Sequence, residues 1–543
     1  AEVVSMLLAK QGVDVNQAAN NGWTPLYVAC LHRRVVVVSM LLAKQGVKVN
    51  EAYGDSSWTP LFVASANGDS EVVSMLLAKQ GVDANQATKK GMTPLYIASA
   101  KGHAVVVAML LAKNGVKVNQ AEQNDATPLY VASQNGHADV VKMLLAKNGV
   151  KVNQLTKDGR TPLYVACQAG HAKVVQMLLN KNGIKVNLSA EDGSTALYIA
   201  SFYGHVEVVS MLLATQKKRI KGRNKKRNKQ GSITVLVNAK KVDGSTALLV
   251  ASAKGHAKVV SMLLATDGIR VNQAENGGAT PLLAASLEGH AEVVKLLLAK
   301  QGVNVNQAMD DGTTPLCIAC QNGHAEVVSM LLAKQGVNVN KAADSGFTPL
   351  YIASANGHAE VVSVLLAKQG VNVNQAVNDG CTPLFIASEK GHAEVVSMLL
   401  AKQGVDVNQA DNRGVTPIMV ASEVGHAKVV SMLLAKQGVN VNEAMNDGVT
   451  PLILASQEGH AEVVKLLLAD PSVVVNQAEN GGATPLWVAS QEGHAEVVSM
   501  LLAKTGIEVN QARSGGTTPL FMASQEGHAE VVSMLLAKQG VDV

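Results

Sequence analysis

A Thr-Pro-Leu triplet, or its near variants Thr-Ala-Leu and Thr-Pro-Ile, returns fifteen times along this chain, and twelve of the fourteen intervals between successive threonines are 34 residues. Thr93, Thr127, Thr161 and Thr195 make one unbroken run, and Thr246 through Thr518 make a second with nine members. A fixed period of this length means one supersecondary unit stacked many times, each closing the apolar face of its neighbour. The period overrides the usual division of 543 residues into several domains, because a stacked array is one body with a core as long as itself. Such stacks build long surfaces rather than closed catalytic pockets.

One unit, residues 310–343, reads as two helices and a turn. Asp311-Gly312 marks a hairpin or tight turn, since glycine supplies a positive φ without steric cost. Thr314 caps a helix and Pro315 takes its first position, where no N–H is needed. Leu316, Ile318 and Ala319 form the buried side of that helix, and Gly323 ends it. A second helix starts near His324 and runs to Gly336, with Val327, Val328, Leu331 and Leu332 as its apolar stripe. Gly336 gives a left-handed exit, and Val337, Val339 and Asn340 lead extended toward the next turn. The fold class expected is an all-α repeat solenoid of helix–turn–helix units carrying hairpin fingers.

Apolar residues are 47% of the chain and aromatics only 3%, as suits thin helical layers of Val, Leu, Ala and Met. No apolar run approaches the length of a membrane span, and no signal peptide is visible. The chain starts at Ala1 inside a repeat and stops at Val543 just past a helix, so we read it as cut from a longer array. Fraying or self-association is expected at such uncapped ends. Cys30, Cys167 and Cys320 stand where most repeats have Ser, and with Cys317 and Cys381 they read as reduced thiols. That places the protein inside the cell, in the cytoplasm first and in the nucleus as the alternative.

The pattern G-x-T-P-L…A-S-x-x-G-H-A-E-V-V-S-M-L-L-A-K-x-G-V-x-V-N resembles the ankyrin repeat, and it covers essentially the whole chain. The resemblance implies a curved, right-handed solenoid, with inner helices and β-hairpin fingers lining a concave groove that binds proteins. Residues 1–16 are a partial repeat, and residues 17–214 and 235–543 are full repeats. The basic residues 215–234 form an insertion between them that reads as disordered. Three departures stand out. The place after Thr-Pro-Leu, often His in the family, holds Tyr96, Tyr130, Tyr164, Phe385 or Trp487, so apolar packing is expected to replace polar contacts. The 34th residue falls in Ala-Lys-Gln-Gly and is expected to lengthen the second helix. Arg33-Arg34 replaces Gly-His, which predicts a strained or loose turn.

Residues that vary between repeats mark candidate partner contacts. Trp23, Tyr53 and Trp58 put aromatics on the first two fingers, either as binding anchors or as packing between fingers. Phe347 stands before its Thr, and Phe202 and Tyr203 before their Gly-His. Glu458, Glu492 and Glu526 form an acidic row suited to a basic segment, unless their identity reflects duplication. The insertion carries Lys217, Lys218, Arg219, Lys221, Arg223, Lys225, Lys226, Arg227 and Lys229. It reads as a nuclear-import or nucleic-acid patch, as a ligand for an acidic protein surface, or as a tolerated insertion without a role. Residues 1–266 hold 32 Lys and Arg against 15 Asp and Glu, net +17, and residues 267–543 hold 15 against 27, net −12. This polarity suggests that the two halves face different partners, or each other in an assembly, unless it reflects drift among duplicated units.

Chemistry is thinly represented. Thirteen of the 14 histidines share one register, spaced too widely for neighbours to share a zinc ion, and they are expected to support helix starts. Cys317-x-x-Cys320 has no second pair. No phosphate loop, G-x-S-x-G or H-E-x-x-H occurs. We therefore expect no catalysis and no cofactor, and a scaffold that binds proteins or extended peptides. Alternatives are binding of anionic partners through the basic insertion and first half, and service as the regulatory array of a larger protein whose enzyme domain lies elsewhere.

Overall fold

A computed structural model describes the backbone of residues 1–54, 57–220 and 235–543, and the side chains of these except 216–220. The described residues hold 31 helices, taken in pairs along the chain, from Glu2–Ala9 to Ala529–Ala537. They form two compact units, Ala1–Asn276 and Gly277–Val543.

In the unit Gly277–Val543 the repeat of residues 310–343 shows how the elements arise. The Cys317 N–H donates to Oγ1 of Thr314 at 3.2 Å, and Pro315 opens the helix Pro315–Gln321. Gly323, at φ +74°, turns the chain into the second helix, Ala325–Ala333. Val327, Val328 and Leu331 of that helix are 1% exposed or less. Each fully buried leucine of this kind contributes about 1.5–3 kcal/mol relative to an exposed one. First helices pack on first helices and second helices on second helices, so the two layers bury a core between them. The unit Ala1–Asn276 repeats this plan, for instance with Pro94–Lys101 and Ala104–Ala112.

Several local expectations need correction. Ile318 is only half-buried, whereas Cys317 is fully buried and takes the inward place. The second helix does not run to Gly336 but ends at Ala333, and Lys334 already has extended dihedrals of −74° and 130°. The 34th residue therefore enlarges the turn and does not lengthen the helix. The described residues hold no β-strand: Tyr53 with Trp58 and Ser189 with Thr195 are isolated bridges. Most fingers are closed by turn hydrogen bonds alone. Thr88 N–H donates to Met92 O at 2.9 Å and Gly91 N–H to Thr88 O at 2.8 Å. One backbone bond, from Gln123 N–H to Lys90 O at 2.9 Å, ties that finger to the next.

The basic segment begins differently from its sequence reading. The helix Val206–Ile220 has 15 residues, so residues 215–220 continue it, with the Thr215 hydroxyl donating to Leu212 O at 2.6 Å. Lys217, Lys218 and Arg219 lie on this helix, while Lys221, Arg223, Lys225, Lys226, Arg227 and Lys229 lie outside the described residues. Register resumes immediately afterwards. Leu236 N–H donates to Oδ1 of Asn187 at 3.0 Å, and His256 bonds Phe202 O at 3.0 Å, as their counterparts do in uninterrupted repeats.

The Arg33 turn is strained but not loose. Arg33 holds φ 57°, a conformation glycine takes in other repeats. Its Nη2 donates to Asn67 O at 2.7 Å, and its Nε lies 3.5 Å from Oδ1 of Asp69. Asp69 stands where the following repeats have histidine. An ion pair thus replaces the glycine–histidine contact at this one junction.

Candidate functional site

Three polar ladders hold the repeats in register, and all three bond to backbone groups 30 to 37 residues away in uninterrupted repeats. His137 Nε2 bonds Ala100 O at 3.0 Å, His358 bonds Gln321 O at 3.0 Å, and His494 bonds Gln457 O at 2.9 Å. These histidines occupy N-cap positions yet make no side-chain cap bond, so the expectation that they support helix starts is replaced by a bridging role. Lysines do the same for second helices. Lys334 Nζ donates to Leu298 O at 2.7 Å and Lys368 Nζ to Leu332 O at 2.7 Å, satisfying carbonyls at a helix end where cations are favoured. Asparagines bond twice: Asn340 Nδ2 donates to Gly370 O and Oδ1 accepts from Asn372 N–H, both at 2.8 Å.

With the frame satisfied internally, the variable side chains gather on the fingers and the adjoining ends of the first helices. Tyr53 is only 7% exposed and packs its ring edge-on to Tyr27 at 5.3 Å, so it is core and not a surface anchor. Trp23 is half-buried, 5.6 Å from Tyr27, and Trp58 is 37% exposed beside Phe62. Phe202 is half-buried against Tyr203, which is 47% exposed. Phe347 is 39% exposed and stacks on Tyr351 at 5.3 Å. Glu458, Glu492 and Glu526 are exposed at equivalent ends of the helices Pro451–Gln457, Pro485–Glu492 and Pro519–Gln525. Neighbouring amides donate to two of them, Gln457 to Glu458 and Gln525 to Glu526.

The position three residues after the capping Thr is buried in most repeats, and in two of them a tyrosine there adds a polar link. Burial pushes the Tyr96 hydroxyl up to about 12. Tyr164 shares a hydrogen bond with the Ser194 hydroxyl at 2.9 Å, and Ser245 donates to the Tyr198 hydroxyl at 3.2 Å. Polar contact is therefore kept at these two junctions, whereas Leu249, Leu283 and Ile453 pack as buried apolar side chains, as expected. The finger carboxylates close their own turns. Asp192 accepts the Ser194 N–H at 2.9 Å, and although burial pushes its carboxyl up, the Ser194 bonds and Lys241 hold it below its usual value.

Three cation–aromatic contacts escaped the sequence reading: Lys254 Nζ lies 5.3 Å from the centre of the Phe202 ring, and two more set an arginine over the aromatic three residues after a capping Thr. Arg160 lies 5.7 Å from the centre of the Tyr164 ring and its Nε is 3.0 Å from Asp158. Arg513 lies 4.9 Å from the centre of the Trp487 ring, with its Nε 3.6 Å from Glu479. The cysteines point inward. All five are buried and free, and burial raises every one, Cys30 and Cys381 to about 12. A raised thiol is a poor nucleophile and a poor metal ligand. Among the described residues no helix is long and apolar enough to cross a membrane.

The model of the family described as ankyrin repeats (3 copies) matches residues 1–88, 61–156, 145–225, 224–309, 301–377, 340–411, 384–478, 437–513 and 469–543. The chain belongs to the ankyrin-repeat family. These ankyrin matches overlap from one end of the chain to the other and span the junction at residue 224, where the basic segment lies. A search of curated proteins finds no match to this ankyrin array.

Proposed function

We propose that this ankyrin-repeat chain is a non-catalytic scaffold that binds partner proteins or extended peptides along its fingers and first-helix ends. The observation that carries this reading is the contrast between frame and face. The frame repeats the same His, Lys and Asn bonds to backbone, while Trp58, Tyr203 and Phe347 project from variable positions at 37%, 47% and 39% exposure. Rigid elements carrying a few exposed aromatics supply anchors at low entropic cost. Ankyrin repeats generally serve as protein-interaction modules, and the β-hairpin fingers and curved right-handed groove are part of the same proposal. The buried, free thiols support an intracellular setting.

Selection of binders from a random-peptide library on the full chain, followed by anisotropy titration, tests this reading. Trp58→Ala or Phe347→Ala is expected to weaken the selected peptides roughly tenfold. Glu326→Ala and Glu394→Ala, on second helices, are expected to stay within about twofold, as for neutral positions outside a hot spot. Peptides sensitive only to the second-helix changes overturn the reading.

A second reading rests on the nine basic residues among Lys217–Lys229 and the net charge of +17 in residues 1–266. It assigns anionic partners, nucleic acid or acidic protein, to that half. Affinity for a polyanion that falls steeply with salt supports it, and a flat salt response removes it. Service as a regulatory array for an enzyme domain elsewhere in a longer protein is compatible with either reading.

A further inference from the structure

We infer that the pocket beneath Phe347 is a receptor for one arginine side chain of an extended partner segment, which gives the proposed scaffold function a specific chemistry. The pocket has a volume of about 460 Å³, within the range of roughly 300–1,000 Å³ typical of ligand sites. Phe347, Tyr351, Ile352 and Ala355 make its apolar wall, and Asp311 and Asp344 stand on its rim. The two rings stack at an interplanar angle of 12°, which leaves the outer face of Phe347 as a flat, exposed platform.

The two aspartates come from adjacent fingers fixed to each other by a backbone bond from Asp344 N–H to Asp311 O at 3.0 Å. The Thr313 N–H donates to Oδ1 of Asp311 at 2.9 Å, and the backbone and hydroxyl bonds from Thr313 hold the carboxyl below its ordinary value, so it meets a ligand ionised. Lys341 of the same finger donates to Asn306 O at 3.1 Å. The unit Gly277–Val543 holds 14 Lys and Arg against 25 Asp and Glu, net −11, which draws a cationic segment toward this rim.

The chain itself shows which group such a site accepts. In two other repeats the aromatic three residues after the capping Thr sits under an arginine of this same chain, and that arginine is paired with a finger carboxylate. Tyr351 holds the equivalent position after Thr348, and its neighbour Phe347 adds a second ring on top. Among the described residues no cation of the chain lies over either ring. A guanidinium fits better than an ammonium, because it stacks flat on a ring while its fork meets carboxylate oxygens.

The test reads the pocket directly and does not depend on finding a natural partner. The chain has five phenylalanines, so labelling with 4-fluorophenylalanine gives a sparse fluorine spectrum in which Phe347→Leu identifies its resonance. Titration with N-acetyl-arginine amide is expected to shift that resonance to saturation. Asp311→Asn with Asp344→Asn preserves the turn acceptors and is expected to weaken binding about tenfold, as loss of charge-assisted bonds does. The lysine amide and the neutral citrulline amide are expected to bind more weakly than arginine. Equal response to citrulline, indifference to the two asparagines, or an unmoved Phe347 resonance overturns the inference. Failure of the library selection with success of this titration would sink the scaffold reading alone, and the reverse outcome sinks only the arginine pocket.

Discussion

The imidazole of His171 lies directly over Gly136 of the preceding repeat, so close that a Cβ on Gly136 would meet its Nδ1 at 2.6 Å. The same ring bonds Gln134 O through Nε2 at 3.0 Å. Two residues of adjacent repeats are thus fitted to one another, and the fit recurs down the array. Gly136→Ala faces both this clash and a φ of +75°, whereas Gly115→Ala faces only a φ of +80° with nothing within 4 Å. Gly115→Ala is expected to cost about 1 kcal/mol and Gly136→Ala about 2–4 kcal/mol. Native-state hydrogen exchange on the two repeats flanking each site checks the difference, and equal costs would show that the ring simply moves aside.

At the first full junction the fit takes another form, Arg33 against Asp69. Asp69→His alone is expected to destabilise, because the imidazole would press on the Arg33 side chain. The double variant Arg33→Gly with Asp69→His recreates the standard pair and is expected to exceed the wild type, with a coupling of roughly 1–3 kcal/mol. Denaturant unfolding of all four members of the cycle measures it. Additive effects would mean that the two positions do not answer each other.

The asparagine ladder separates donor from acceptor. Asn340→Asp keeps the oxygen that accepts the Asn372 N–H and loses the donor to Gly370 O, whereas Asn340→Ala loses both. The expected cost is about 1 kcal/mol per lost bond. Protection of the Asn372 amide should survive in the aspartate variant and disappear in the alanine variant.

Acid sensitivity follows from Asp470. The Ser472 hydroxyl donates to its Oδ1 at 2.6 Å and the Ser472 N–H at 2.8 Å, and these bonds hold the carboxyl below its ordinary value. A folded value below the unfolded one means stabilisation that is complete above the unfolded value, about 3.9, and lost as pH falls toward the folded one. Asp470→Asn is expected to flatten the stability profile of its repeat below about pH 4, lowering stability at neutral pH and leaving it little changed in acid. Carboxyl carbon shifts of Asp470 across that window report the titration itself, and a midpoint at or above the free value would contradict the hydrogen-bond account.

The thiols should report opening. With burial raising all five, reaction with a disulfide reagent at neutral pH is expected to be slow and to follow repeat unfolding. Rapid reaction of Cys167 or Cys320 in the folded chain would disprove their depth in the core.

The period, the threonine caps, the two helices and their apolar stripes were legible in the sequence, because each depends on residues within one turn or one repeat. Val327, Val328 and Leu331 are core in the sequence and in the structure for that reason. The lysine of each Ala-Lys-Gln-Gly looked like helix, but its ammonium is drawn to a carbonyl 36 residues back, as Lys334 is to Leu298, and the helix ends before it. Local propensity cannot see a bond that exists only after stacking.

The candidate face divides the same way. Sequence variation picked out Trp58, Tyr203 and Phe347 as exposed, but it could not tell them from Tyr53, whose ring Tyr27 covers. Nor could it find Arg513 over Trp487, since those residues meet only when one repeat lies on the next. Repetition of a short pattern determined what each layer is made of. Contact between layers decided which polar atoms are used up in holding the frame and which remain to meet a partner, because burial and hydrogen bonding are settled by neighbours in space.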